Sequence, residues 1–460
     1  MAVPPAAPLA GPPEKVFLLI NPKAGGMKGE EILRRVPPYF QVSLGNGRSA
    51  VLCSFSLTAD GPRGKQACFA EMRGMLRGGK GPRIRVIAAG GDGTIKWVVA
   101  EAQNNGVNPS EDLLFGILPL GTGNDFSRST GWGGGFPRTL LHGNLENLAA
   151  LVCRWCVASD RLHDVWRVEI GVDEERGSIS SVGGNKRRAD INSKRITETM
   201  IMYFSIGADA KVGIGFDKHR TSSRLCNFCV YMWEGLKKML PCRKKHRVAD
   251  VVDGLHRGLD SSAPVIFDTD AASSAPKLLS TPQILVFINI GSFGGGSAHL
   301  WSAASRPGVD RTEGGDEDLL TLGQDPGDGR LEVVTVRNLQ TVVLDPLSRR
   351  LPFMGPRRIC SCTAPLYLRF SEGDEEQEEE ICSYCQVDGE YFKLVNPAEA
   401  LVTNVLRIRV LYNEDNSYYA TSDGESGSAS DGSDEESPRV WWWPFGLEPR
   451  YSKAPLEARR

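Results

Sequence analysis

The 460-residue sequence predicts an α/β fold, with an N-terminal α/β domain on a mainly parallel sheet followed by a β-rich accessory domain. Two observations carry this. Before about Asp160, short apolar runs alternate with stretches of helical length, the pattern of strand–helix–strand units. After it, candidate strands follow one another with few helical stretches between them.

The Pro- and Ala-rich residues 1–14 are expected to be a disordered tail. Residues 15–158 then read as the first domain. Val16–Ile20, Ile84–Ala89 and Leu114–Pro119 are apolar runs of strand length, and each ends in a glycine-rich turn. Gly64 to Leu76 and Thr94 to Gln103 have helical length. Residues 159–412 read as the second domain, with candidate strands at Val165–Ile170, Thr199–Ile206, Gln283–Ile290, Leu331–Val336, Leu366–Phe370, Cys385–Val387 and Val405–Leu411. Ser223–Leu240 is the longest helical stretch there. Ser178–Lys194, Ala249–Pro276 and the acidic Glu372–Glu380 look too polar to pack and are read as solvated insertions. Residues 413–460 read as an acidic, Ser-rich and Trp-rich tail.

Charge and cysteine usage narrow the class. A net charge of −2 argues against an undirected nucleic-acid binder. No apolar run is long enough to span a bilayer, and the first residues lack the charged and apolar regions of a secretory signal. Eleven scattered cysteines then point to a reducing, cytosolic compartment. The CxxC pairs Cys153/Cys156, Cys226/Cys229 and Cys382/Cys385 lack the partner spacing of a zinc site and are read mainly as packed thiols.

The three strand-end turns carry the chemistry. Ligands of open α/β sheets bind at the carboxyl ends of the strands, and glycine lets backbone N–H groups approach phosphate oxygens. Neither a Walker A sequence nor a G-x-G-x-x-G fingerprint is present. Asn21-Pro22-Lys23-Ala24-Gly25-Gly26 is either a triphosphate cradle or a tight strand-to-helix turn. Gly90-Gly91-Asp92-Gly93-Thr94 is more specific. A carboxylate beside phosphates is costly unless a cation lies between them, so Asp92 suggests Mg²⁺ or a proton acceptor, against an Asx-turn. Gly121-Thr122-Gly123-Asn124-Asp125 repeats this logic, with Asp125 as a second carboxylate or with a helix cap as the plainer reading.

These motifs resemble those of the diacylglycerol kinase family. Ile20 to Gly25, Gly90 to Thr94 and Pro119 to Asp125 look like three signatures of its catalytic domain, and Leu57 to Pro62 is similar to an intervening loop. Tyr203 to Ala210, Asn289 to Gly296, Asp328 to Val334 and Gln386 to Glu390 look like the accessory domain of the eukaryotic members. The resemblance runs from Lys15 to Leu411. It departs from the family in two places: no Cys-rich zinc module precedes Lys15 in this sequence, and Val165 stands where an arginine is usual.

The resemblance implies a function and a set of roles. The activity would be ATP-dependent phosphorylation of the diacylglycerol hydroxyl, giving phosphatidic acid. A sphingosine- or ceramide-type lipid kinase is the alternative within the class, and a catalytically inactive lipid- or nucleotide-binding regulator the alternative outside it. Asn21, Pro22, Lys23, Ala24, Gly25, Thr58, Gly90, Gly91, Asp92, Gly93, Thr94, Ile95, Lys96, Gly121, Thr122, Gly123, Asn124 and Asp125 would surround ATP. Asp92 and Asp125 would organise Mg²⁺. Glu390 would take the substrate proton, with Asp92 competing for that role and an ordinary Asp-Gly hairpin as the plain alternative. Asp325, Asp328 and Arg330 would form a second, structural Mg²⁺ site or a plain acidic turn. Peripheral contact with membrane lipid is expected. The basic residues Lys237, Lys238 and Arg243–Arg247 or the tryptophans Trp441–Trp443 are candidates for it, against a solvated loop and a packed segment.

Overall fold

Val16–Ile20 are fully buried, as a strand covered on both faces must be. They belong to β1 (Glu14–Ile20), which is flanked in parallel by β3 (Arg48–Ser56) and β4 (Ile84–Gly90). β5 (Leu113–Pro119) extends the parallel set beyond β4. Between these strands run α1 (Ala24–Arg35), α2 (Lys65–Leu76) and α3 (Asp92–Asn104), followed by the short α4 (Asp125–Ser129) and by α5 (Glu146–Val157). Ile20 pairs with Ser56 and with Ala89, and Gly90 pairs with Pro119. The register therefore brings the turns after β1, β3, β4 and β5 to one edge.

The computed structural model describes residues 12–77, 81–137, 139–181, 193–219, 247–296, 298–310, 316–338, 355–372 and 380–414. Ser223–Leu240, Lys237, Lys238, Arg243–His246, residues 373–379 of the acidic stretch and Trp441–Trp443 lie outside the described residues, as does all of the tail beyond residue 414.

The sheet does not stop at β5. The long strand β18 (Pro397–Tyr412) joins it through the pair Val410–Phe115 and runs antiparallel to β6 (Ser159–Val172) along its length. With β2 (Tyr39–Gly45), β8 (Arg195–Met200), β10 (Val252–Arg257), β11 (Val265–Asp268) and β15 (Leu366–Phe370) it has eleven strands. A second, antiparallel sheet has the order β14 (Arg357–Cys362), β13 (Leu331–Val336), β12 (Ile284–Ile288), β9 (Tyr203–Gly207), β16 (Cys382–Val387), β17 (Glu390–Val395) and β7 (Ser178–Ser181). Alternate residues of β12 serve two cores. Ile284, Val286 and Ile288 join the core of the first sheet, while Leu285 and Phe287 face a core shared with β6 and β15. That double burial explains its unbroken apolar run.

Three expectations change. Thr199–Ile206 is two strands rather than one, because the chain leaves the first sheet after Met200 and enters the second at Tyr203. Ser178–Lys194 begins with β7, which pairs with β17. Ala249–Pro276 contains β10 and β11, whose Val252, Leu255 and Phe267 are buried. Polar composition hid these strands because each turns only one face to a core. Beyond them, α6 (Ala208–Lys218) follows β9. Among the described residues, no helix is long and apolar enough to cross a membrane.

Candidate active site

At the common strand edge, three loops meet backbone to backbone. A Cβ on Gly121 would lie 2.7 Å from the Cα of Gly91 and 2.6 Å from the Asn124 side-chain oxygen, so the second and third loops touch as only glycines allow. A Cβ on Gly25 would lie 2.7 Å from the Leu120 carbonyl, which ties the first loop to the third. The Asn21 amide donates to Ala89 and the Leu120 amide donates to Gly90. Three successive left-handed residues, Gly25, Gly26 and Met27 (φ 63°, 67° and 75°), carry the first loop into α1, whose regular turns begin only after them. Met27 holds this uncommon conformation with half of its side chain in solvent. Asn21 Oδ1 accepts from the Lys23 amide, closing the turn. Thr58 is exposed beside Ser56 at the neighbouring strand end, and the two hydroxyls lie 3.4 Å apart.

Asp92 opens α3. Its carboxylate accepts from the amides of Asp125 and Phe126 at 3.2 and 3.1 Å, so it also caps α4. Burial, followed by the like charge of Asp125, pushes its carboxyl up to about 7. One turn later on the same helix face stands Lys96. Its ammonium is buried without a hydrogen bond, 3.9 Å from Asp388 and 3.7 Å from Glu390. Thr94 and Ile95 turn the other way, their side chains packed inside, which corrects the expectation for Ile95: only its backbone can face a ligand.

Asp388 and Gly389, both with positive φ, form the two-residue turn between β16 and β17. The hairpin reading of this motif is right, and the hairpin also aims its residues at α3. The Asp388 carboxylate accepts from the amides of Ile201, Met202 and Tyr203 at 2.7–2.9 Å, the break that separates β8 from β9. Burial raises its carboxyl, against the pull of Lys96. Glu390 begins β17, with 42% of its side chain exposed.

Asp125 joins two loops through its carboxylate. Its two oxygens accept from the Tyr203 and Ser292 hydroxyls at 3.0 and 2.5 Å and from the amides of Gly295 and Gly296 at 2.7 and 2.9 Å. It is thus a strut between the third loop and the triple-glycine loop, its lone pairs committed to protein donors. Asn124, left-handed at the start of α4, donates to Gly121 and Gly134 and shapes the loop from within. Arg128 donates to Gly123 across the same loop. Gly93, Thr122 and Gly123 line the loops without deep burial.

Asp325, Asp328 and Arg330, the expected second Mg²⁺ site or acidic turn, lie in a turn before β13. Asp325 accepts from the Gly327 amide, Asp328 accepts from the Arg330 amide, and the Arg330 guanidinium donates to Ser361. The nearby Asp164 carboxylate already has Arg407 and the Gly329 amide. Among the described residues no three His, Cys, Asp or Glu groups converge as metal ligands. The nucleotide edge, by contrast, fits a magnesium nucleotide. Mg²⁺ usually takes one or two carboxylates and completes its shell with phosphate and water. Asp92 offers a carboxylate destabilised by burial and by its like-charged neighbour, and Lys96 offers a buried cation that has ion-pair partners but no hydrogen bond.

Sequence reasoning missed three members of the site: Tyr203 and Ser292, which hold Asp125, and Asp388 as a buried anchor. All three lie in stretches that resemble the family's accessory domain, and Asp388 left a second signal as the Asp of an Asp-Gly turn.

Comparisons with known proteins match both halves of the chain. The diacylglycerol kinase catalytic domain matches residues 15–150 and the diacylglycerol kinase accessory domain matches residues 199–391. The chain is 31% identical over 305 residues to the eye-specific diacylglycerol kinase of Drosophila melanogaster, an alignment covering 64% of this chain and 18% of that protein. It is 29% identical over 341 residues to human diacylglycerol kinase theta, covering 71% of this chain and 29% of that protein. To mouse diacylglycerol kinase iota it is 24% identical over 299 residues, covering 62% and 23%. The chain thus spans less than a third of the length of these relatives. The two matched domains follow one another along the chain and together cover most of it. The chain belongs to the diacylglycerol kinase family.

Proposed function

We propose that this chain is an ATP-dependent kinase that phosphorylates the hydroxyl of diacylglycerol to give phosphatidic acid. Residues 15–158 are the nucleotide-holding half and residues 159–412 the half that meets the lipid. The observation that carries the reading is the approach of Lys96, one turn after Asp92 on α3, to Glu390 of the β16–β17 hairpin. Phosphoryl transfer needs alignment and charge neutralisation more than covalent help from the protein.

In this reading the Gly25–Met27 turn and the Gly91 and Gly121 loops hold the triphosphate through main-chain N–H groups, and Asp92 holds Mg²⁺. The ion, when bound, neutralises phosphate oxygens. Lys96 turns from Asp388 and Glu390 toward the transferring phosphoryl group, meeting with charge what it lacks in hydrogen bonds. Glu390, reachable from solvent, accepts the proton of the attacking hydroxyl. Asp125 keeps the two halves in register. The substrate sits in lipid, so the protein works at a membrane surface from a cytosolic pool, with no role for nucleic acid.

A thin-layer assay with labelled ATP against diacylglycerol, sphingosine and ceramide tests this. Transfer to diacylglycerol above the other two is the expected result. No transfer to any lipid while ATP still binds would turn the reading to an inactive regulator. Asp92→Ala is expected to abolish transfer and to leave the circular dichroism spectrum unchanged. Near-normal turnover in that variant removes Asp92 from the mechanism.

A further inference from the structure

At the opposite end of the second sheet lies a cavity of about 320 Å³. Tyr203 and Ile288 mark the active-site end of their strands, whereas Gly207, Ile284 and Val336 mark the other. Four residues of strand separate the ends, roughly 13 Å. The cavity is lined by Ser280, Thr281, Thr335, Arg337 and Arg357, with Leu279 at its rim. Thr335 and Arg357 face each other across β13 and β14.

Two independent features need a ligand to make sense. Thr335 is 2% exposed and its hydroxyl has no hydrogen-bond partner. Buried polar groups are almost always paired, and an exception asks for an explanation. The second feature is charge. Arg337 and Arg306 both stand close enough to Arg357 to act with burial in lowering its hold on its proton. Among the described residues no carboxylate pairs with any of the three, and the Arg357 guanidinium donates to the Pro307 carbonyl. Like charges gathered without a counter-ion are unfavourable unless an anion joins them.

We propose that this cavity binds a phosphate-class anion through Arg337 and Arg357, with Arg306 adding charge and the Thr335 hydroxyl donating from the floor. Several guanidinium and hydroxyl donors suit a tetrahedral dianion better than a planar carboxylate. Leu279, 45% exposed, gives the opening an apolar rim. The phosphate group can belong to a soluble compound or to a lipid headgroup.

The test uses the full chain with its nucleotide edge saturated by a non-hydrolysable ATP analogue, so that binding is read without turnover and independently of the kinase reading. Inorganic phosphate is titrated calorimetrically. In parallel, co-flotation is measured with phosphatidylcholine vesicles alone or containing a phosphomonoester lipid. Arg306→Gln/Arg337→Gln, both positions exposed, is expected to weaken binding at least about tenfold. Thr335→Val is expected to weaken it several-fold while keeping side-chain shape. Loss confined to the phosphate titration identifies a soluble ligand, and matching loss on vesicles identifies a headgroup. The proposal is overturned if wild type binds neither probe, or if the double variant and Thr335→Val both bind as wild type does.

Discussion

Where Gly91 meets Gly121, two main chains pass so closely that no side chain fits between them. A short distance away, at the junction with the second sheet, the space is filled with buried polar groups: Asp125 with four donors, Asp388 with three amides and Lys96, and Asn289 donating to the carbonyls of Asp164 and Ile201. One region is shaped by the absence of side chains, the other by their satisfied charges. The difference shows how the work is divided. In the proposed reading, backbone N–H groups meet a ligand whose charge arrives from outside, so that edge stays bare. The buried carboxylates of the junction are balanced by donors of the protein itself.

The contrast can be broken by adding to the first region and taking from the second. Gly121→Ala is expected to have the largest effect. Its Cβ must displace Asn124 or the Gly91 loop, and misplacement of about 1 Å costs on the order of 100-fold in kcat/KM. Steady-state kinetics beside an unchanged circular dichroism spectrum would locate the damage in the loops, whereas wild-type kinetics would show that they yield freely. Glu390→Gln is expected to lower kcat by about 100-fold, the lower end for a general base, with little change in KM for ATP. A raised KM at constant kcat would instead give Glu390 a nucleotide-holding role.

In the second region the readout is stability. Asp388→Ala leaves three amides without their acceptor and Lys96 with one counter-charge instead of two, an expected loss of about 3–5 kcal/mol in urea unfolding. A loss below 1 kcal/mol, the scale of an exposed pair, would mean that water replaces the carboxylate.

Two further effects are in pH dependence, and they run in opposite directions. Burial lowers His163 to about 4, so the native state keeps it neutral while the unfolded chain takes up a proton below about 6.5. Stability from this group is therefore lost as pH falls from 6.5 toward 4. Burial raises Glu332 to about 8, so the folded protein holds the proton that the unfolded chain has released. Its contribution is full below pH 4.5 and is lost as pH rises toward 8. His163→Gln should flatten the acid limb of melting temperature against pH, and Glu332→Gln the neutral limb. Unchanged slopes would place water beside these groups.

Much of the first region was legible from local pattern. Apolar runs closed by glycine pairs announce strands that end at a ligand edge, and β1, β4 and β5 follow that pattern to within a residue or two. The second region was hidden for a physical reason. For Asp325 and Asp328 the sequence left a metal site and an acidic turn open, because it cannot show that each carboxylate accepts from an amide two residues on. Asp125 looked like a metal ligand because its partners, Tyr203 and Ser292, are remote in the chain. The strands β10 and β11 escaped notice because they are short and lie in a polar stretch, β11 at the sheet edge and β10 beside it.

By itself the order of residues determined the fold class and the three glycine turns, because strand burial and left-handed turns are decided within a few neighbours. Only the tertiary structure decided which acids remain available and which are spent: Asp92 and Glu390 beside Lys96 on one account, Asp125 and Asp388 as internal fastenings on the other. A carboxylate's role depends on which donors reach it, and here most of those donors arrive from distant parts of the chain.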